Sequence, residues 1–281
     1  MTKVSLYIPC YNAAKHIEKC IKNIFVQTYP IDEILIIDDG SVDNTLEIIS
    51  QFPNLRIVKH PQNRGLAAAR NTALRELKTD FIANIDSDCV AEKDWLERLM
   101  QNMADEKIAG VGGKLIESNQ STTPDYWRVV HMKQHWGNEK VINPDWLFGH
   151  SAVFRKTALE SVNGYLEKYR TNYEDLDLSH RLLKKGYTLI YEPQAIVHHL
   201  RTDSALSVLR TRWKWTALGV HGRTTGWEVI KNLGRNFGRS IKYMGQDIRN
   251  NRFSLLGLDF ALGFYSTYAD LRGLLCRQSV K

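Results

Sequence analysis

Cysteine and proline are scarce in this chain, with four and seven in 281 residues. Cys10, Cys20, Cys89 and Cys276 form no C-x-x-C pair, which excludes a small disulfide-stapled domain. No stretch reaches the ~20 uninterrupted apolar residues that span a bilayer. The nearest, Phe253 to Cys276, is broken by Asp259, Asp270 and Arg272, so it is expected to lie on a membrane rather than cross one. Nor does the start resemble a cleaved leader, because Lys3 is followed by VSLYIPCYN, a short strand-like run with no cleavage site. A reducing cytoplasm is the expected compartment. What remains, 43% hydrophobic and 25% charged, is an ordinary globular composition long enough for one α/β domain with appendages or two smaller domains.

Negative charge is in short supply, but only in one part. The whole chain carries +7, which points to an anionic partner such as nucleic acid, nucleotide phosphates or a membrane surface. From Leu200 to Lys281 there are 14 Lys and Arg against 5 Asp and Glu, a net +9, which leaves residues 1–199 at −2. The pattern predicts a near-neutral body, residues 1–199, followed by a basic, surface-seeking extension, residues 200–281.

The body alternates strand and helix. Val4 to Ile8 reads as a strand ended by Pro9, and His16 to Gln27 as an amphipathic helix with Ile17, Ile21, Ile24 and Phe25 on one stripe. Glu33 to Ile37 is an apolar strand of the kind buried on both faces. A helix over Leu46 to Phe52, a strand over Leu55 to Lys59, a helix over Leu66 to Leu77 and a strand over Phe81 to Ile85 complete the alternation. This order predicts a doubly wound α/β sheet, which binds ligands at the carboxyl ends of its strands. Tyr11-Asn12, Asp38-Asp39 and Asp86-Ser87-Asp88 follow three of those ends and should converge on one crevice.

Asp86 and Asp88, one residue apart at a strand exit, can face a shared ligand. Their repulsion is removed by a divalent cation, and hard carboxylate oxygens suit Mg2+ or Mn2+. An acidic turn, with Asp88 capping the helix that includes Trp95 to Met100, is the alternative. Asp38-Asp39-Gly40-Ser41 is likewise ordinary turn chemistry in isolation, with Ser41 or Asp43 capping the next helix. Two acidic exits on one sheet are nonetheless costly without a cation or a donor-rich ligand between them. The segment Asn63 to Asn71 brings Arg64 and Arg70, whose forked donors match phosphate or a base carbonyl.

The runs VSLYIPCYN, ILIIDDGSVDNT, NRGLAAARNTAL, FIANIDSDCV, LFGHSAVFRK, VNGY, YEDLDLSHRLLKKGY and AIVHH together resemble, in order and spacing, the inverting glycosyltransferases of family 2 with the GT-A fold. The resemblance covers Val4 to about His199. It implies that Pro9 and Tyr11 line a nucleobase pocket, that Asp38 and Asp39 bind base or ribose, and that Arg70 reaches the nucleotide. Asp86 would contact ribose or metal-bound water, and Asp88 would coordinate a cation on the diphosphate. Asp175 matches the general base, with Glu174 a second candidate; the dipole of the helix they open favours acids there even without catalysis. His198, chosen over His199 by motif alignment, matches a further metal ligand, and Gly149 with His150 the segment near sugar and acceptor.

The extension mixes Trp213, Trp215, Arg210, Arg212 and Lys214 between Leu200 and Arg223, and again aromatic with basic residues between Phe237 and Tyr243. That composition suits an anionic membrane interface, single-stranded nucleic acid, or helices packing on the body or on another subunit. A nucleic-acid module leaves the acidic strand exits unexplained, and a nucleotidyltransferase predicts a glycine-rich basic phosphate loop that IPCYNAAKH lacks. The expectation is therefore an α/β, doubly wound mixed sheet with a helical C-terminal extension, acting on a nucleotide-diphosphate sugar of UDP, GDP or dTDP type. Its acceptor is expected to be a glycan or lipid-linked and its cation Mn2+ or Mg2+, with the protein in the cytoplasm, free or peripherally on the cytoplasmic membrane face; nucleic acid is not an expected partner.

Overall fold

The computed structural model describes residues 3–170, 172–216 and 226–278. Two compact units emerge, one from the described residues of 1–118 and 134–200 and the other from those of 119–133 and 201–281. The division read at His199 thus needs one change: residues 119–133 group with the extension and interrupt the body.

The first unit is built on a mixed sheet. Its strands are β1 (Val4–Cys10), β2 (Glu33–Asp38), β3 (Arg56–Lys59), β4 (Phe81–Ile85), β5 (Cys89–Ala91), β6 (Ile108–Glu117), β7 (Val141–Ile142), β8 (Ser151–Arg155) and β9 (Thr188–His199). They lie in the order β3-β2-β1-β4-β8-β6-β9-β5, with β7 on β9. The β3-β2-β1-β4 portion is parallel, and β8 enters antiparallel between β4 and β6. Parallel strands need covered crossovers. These are supplied by α1 (Ile17–Ile24), α2 (Thr45–Ile49) and α3 (Leu66–Glu76), and Leu35, Ile36 and Ile37 of β2 are fully buried as that demands. The order reverses at β1, with β2 on one side and β4 on the other, so the switch-point crevice opens beyond Cys10, Asp38 and Ile85.

Two local readings change. Pro9 does not end β1, which runs on to Cys10. The last β1–β4 register pair is Tyr7 with Asn84, and Cys10 accepts from Asp39 N on the β2 side, so the missing Pro9 N–H falls where no ladder bond is needed. Asp88 does not cap α4 (Trp95–Met100), because β5 intervenes and Asp94 holds the N-cap position.

The second unit is helical: α5 (Thr123–His131), α8 (Ala205–Lys214), α9 (Gly226–Arg249), a short 3-10 turn (Phe253–Leu255) and α10 (Leu256–Gln278). The body contributes α6 (Lys156–Ser161) and α7 (Glu174–Lys184) to complete the sequence of helices. Trp127, Met132, Val208, Leu209, Leu255, Leu258 and Leu262 form the second unit's core. No helix among the described residues is long and apolar enough to cross a membrane. Arg223 lies outside the described residues.

Candidate active site

The β1 and β2 exits are laced together. Asn12 N donates to Ser41 Oγ at 2.9 Å, and Val42 N to Asn12 Oδ1 at 2.9 Å. Asn12 takes a left-handed φ of 51°, which asparagine tolerates. Tyr11 beside it is 47% exposed, so its ring is not core filling. The two neighbouring acids part company. Asp39 is spent on the chain: Oδ1 accepts from Arg64 N and Oδ2 from Gly65 N at 2.9 and 2.8 Å, while His60 Nδ1 lies 2.7 Å from Oδ1. Gly65, at φ 99° with Arg170 O only 2.7 Å from where a Cβ would stand, is required for that turn. Asp38 Oδ1 accepts from Ser41 N at 3.0 Å, but among the described residues no donor reaches its buried Oδ2.

Gly149 joins the site's parts. Its carbonyl accepts from Arg70 Nη2 at 2.8 Å and from Asn84 Nδ2 at 2.7 Å, and its N–H donates to Asp175 Oδ2 at 2.9 Å. A Cβ at Gly149 would stand 2.7 Å from Arg70 Nη2, so this approach needs glycine. Arg70 is buried, with Asp86 Oδ1 and Glu174 Oε1 each at 3.7 Å, and its Nε has no hydrogen-bond partner among the described residues. His150 is buried too, its Nε2 3.2 Å from Gln134 O and its ring stacked on Phe148. Burial first, with His199 and Arg70 adding to it, pushes the imidazole down to about 3, so it is neutral.

The acidic exit of β4 meets the end of β9. His199, not His198, stands there: its Nε2 is 3.1 Å from Asp88 Oδ2 and its Nδ1 2.7 Å from Glu117 Oε2. His198 points to the opposite face of the strand, as alternation requires, and sits 3.2 Å from Glu92. The expectation that placed His198 beside Asp88 is therefore off by one residue. Glu117 pairs directly with His199 across β6 and β9 and is a site residue that sequence reading missed. Burial would lower His199, but Asp88 and Glu117 outweigh it and hold the imidazole up at about 9. Asp86, a third exposed, is pushed up to about 6 by desolvation, with Asp88 and Asp175 adding to it.

α7 begins beneath Tyr173, whose φ of 76° is left-handed and places Glu174 and Asp175 at the helix start. The two acids separate in environment. Glu174 is buried, its Oε2 without a partner among the described residues, and burial first, then Asp175, push its carboxyl up to about 8. Asp175 is only half-buried and remains within reach of an incoming group. Asp86, Asp88 and His199, braced by Glu117, are the residues fit to hold a divalent cation: an imidazole with its far nitrogen taken by a carboxylate presents the other nitrogen beside a hard oxygen. All of these residues belong to the first unit.

The chain is 28% identical over 204 residues to the pre-mycofactocin glycosyltransferase of Mycobacterium tuberculosis, covering 70% of this chain but 42% of that protein. It is 31% identical over 207 residues to the glycosyltransferase AglE of Haloferax volcanii, covering 70% of this chain and 66% of AglE. The fold matches the mannosyltransferase PcManGT of Pyrobaculum calidifontis, solved with GDP-Man and Mn2+, at a TM-score of 0.55 and 20% identity over 99% of this chain and 76% of that one. That likeness gives the mixed sheet its place among GT-A folds. The profile described as Glycosyl transferase family 2 matches residues 5–162, more than half of the chain, and the chain belongs to that family.

Proposed function

We propose that the chain transfers a sugar from a nucleoside-diphosphate sugar to an acceptor hydroxyl in one inverting displacement. The observation that carries this reading is the Gly149 peptide, which ties the candidate base Asp175 to the buried Arg70 and to Asn84 at the crevice. In this reading Tyr11 offers a ring face to the base and the free Asp38 Oδ2 accepts from base or ribose. Asp88 and His199, with Asp86 beside them, would hold Mn2+ or Mg2+, which when bound would supply stabilisation of charge on the diphosphate. Asp175 accepts the proton of the attacking hydroxyl. Glu174, buried and kept largely protonated, holds Arg70 in place rather than taking that proton. PcManGT bound to GDP-Man and Mn2+ supports both the donor class and the cation.

The acceptor is proposed to be lipid-linked or a growing surface glycan, met at an anionic membrane face. Trp227, Ile230, Ile241 and Ile248 of α9 and Phe260, Phe264 and Leu275 of α10 are each at least half exposed, and Lys231, Arg235, Lys242 and Arg249 stand on the same two-helix hairpin. An apolar stripe beside cations fits a lipid headgroup boundary. The test is a screen of UDP-, GDP- and dTDP-sugars with Mn2+ or Mg2+, following nucleotide release and the anomeric configuration of the product. Cation-dependent release with inversion is expected, and a retained configuration or release indifferent to EDTA would overturn the mechanism. Co-sedimentation with anionic but not neutral vesicles is expected of the full chain, and equal recovery in both supernatants would remove the membrane.

A further inference from the structure

His131 of α5, Asp247 of α9 and Asp259 of α10 come together inside the second unit. His131 Nε2 lies 2.8 Å from Asp247 Oδ2 and 3.6 Å from Asp259 Oδ1, and all three side chains are at most 2% exposed. Two carboxylates buried against one another are strongly disfavoured unless a proton or a cation separates them. Asp259 Oδ1 accepts from Trp127 Nε1 at 2.7 Å, but among the described residues no donor reaches its buried Oδ2, and the Asp247 carboxyl beside Asp259 disfavours its charge. One member of the cluster thus keeps a fully buried oxygen without a donor.

Each member of the cluster also has an outer partner. Arg252 Nη1 lies 3.2 Å from Asp247 Oδ1, Trp127 donates to Asp259, and the His131 ring is stacked on Tyr243 with centroids 4.1 Å apart at 20°. Oriented ligands with such partners are what metal sites possess beyond their donor atoms. Donors around a tetrahedral ion with bonds of about 2.0–2.2 Å stand about 3.3 Å apart, and the observed 2.8 and 3.6 Å bracket that spacing. Leu255, Leu258 and Leu262 belong with Trp127 to the apolar core of the same unit.

We propose that His131, Asp247 and Asp259 bind a divalent transition-metal ion that clips α5, α9 and α10 together. One imidazole beside two carboxylates suits a transition-metal ion such as Zn2+ or Mn2+. The site shares no residue with the crevice cation proposed above, and it stands whether or not that cation exists.

The test uses the full chain carrying Asp88→Asn, which removes one of the three crevice ligands, stripped with EDTA and titrated separately with Zn2+ alone and Mn2+ alone. One equivalent retained through gel filtration, measured by elemental analysis, and a Tm that rises with metal concentration are expected. Loss of an outer partner alone costs 10–100-fold in metal affinity, so His131→Gln and Asp259→Asn should each cost at least about 100-fold. His180→Gln, at an exposed position on α7, should cost nothing. Should Asp259→Asn fail to fold, His131→Gln decides through the visible absorption of bound Co2+, lost in that variant and kept in His180→Gln. No retained ion with an unmoved Tm for both metals, or unchanged affinity in both ligand variants, overturns the site and leaves a proton shared between two carboxyls.

Discussion

Asp203 of the helical unit and Asp38 of the crevice are both buried acids, and the chain surrounds them differently. Asp203 lies 2.5 Å from Arg128 Nε and accepts from Ser207 Oγ and Arg201. Asp270 of the same unit accepts from Trp213 Nε1 and Asn236 Nδ2 at 2.8 and 2.9 Å. In the crevice the bonds run short: among the described residues Asp38 Oδ2, Arg70 Nε, Asn84 Oδ1, His150 Nδ1 and Glu174 Oε2 are all buried without a partner. A lost partner costs about 1–3 kcal/mol for each buried group, so such atoms gather where a ligand supplies the missing bond. Satisfied acids hold a fold; unsatisfied ones, in the crevice as at Asp259 of the helical unit, await a ligand.

The sharpest way to break that contrast is Asp175→Asn. If the crevice is catalytic, turnover falls by about 10²–10⁴ while the donor dissociation constant stays within about twofold, measured by steady-state kinetics and calorimetry. Turnover like that of the wild type would end Asp175's assignment. Asp203→Ala should do the reverse: it removes the carboxylate beside the buried Arg128 Nε and costs about 3–5 kcal/mol of stability, read from denaturant midpoints, with little change in the residual activity of molecules that stay folded. Glu117→Ala tests the brace between the two behaviours. Losing the partner of His199 Nδ1 should weaken Mn2+ binding 10–100-fold by electron paramagnetic resonance titration, with Glu117→Gln recovering part of it. An unchanged titration would make Glu117 a structural residue only.

The crevice was far more legible in the sequence than the helical unit, for physical reasons. Apolar runs such as Glu33 to Ile37 ending in acids give both a strand and its exit, and local pattern suffices for that. What local pattern does not carry is pairing. Glu117 closes an unremarkable strand and becomes a site residue only because β6 and β9 register it opposite His199. His198 and His199 differ by one residue, and in a strand one residue is the whole difference between two faces. Asp39 reads as a ligand for base or ribose by its position in IIDDGS, yet it accepts from Arg64 N and Gly65 N, donors that lie 25 and 26 residues away. In the helical unit the grouping of 119–133 with the extension has no compositional mark, and the meeting of His131 with Asp247 and Asp259 depends on three helices whose packing no spacing encodes.

The remaining expected effect sets the two regions against each other by sign. Glu174, ordinarily near 4.5, is pushed up to about 8, chiefly by burial and then by Asp175. Between those values the folded state holds a proton that the unfolded state has released, so stability falls as pH rises, with a slope approaching about 1.4 kcal/mol per pH unit for one proton. Below about 4.5 both states are protonated and the penalty is absent; above about 8 both are ionised and it is complete. Asp203 runs the other way. Burial would raise it, but Arg128, Ser207 and Arg201 hold it below its ordinary 3.8, so its stabilisation is present above 3.8 and fades as pH falls through the folded value. Denaturant midpoints of the wild type and Glu174→Gln should therefore converge toward pH 4.5 and separate toward pH 8, with the variant the more stable. The wild type and Asp203→Asn should separate at neutral pH and converge in acid, with the wild type the more stable. Parallel curves for Glu174→Gln would mean that Glu174 keeps an ordinary carboxylate, ionised against Arg70, and the crevice would then resemble the helical unit in the one respect that was taken to distinguish it.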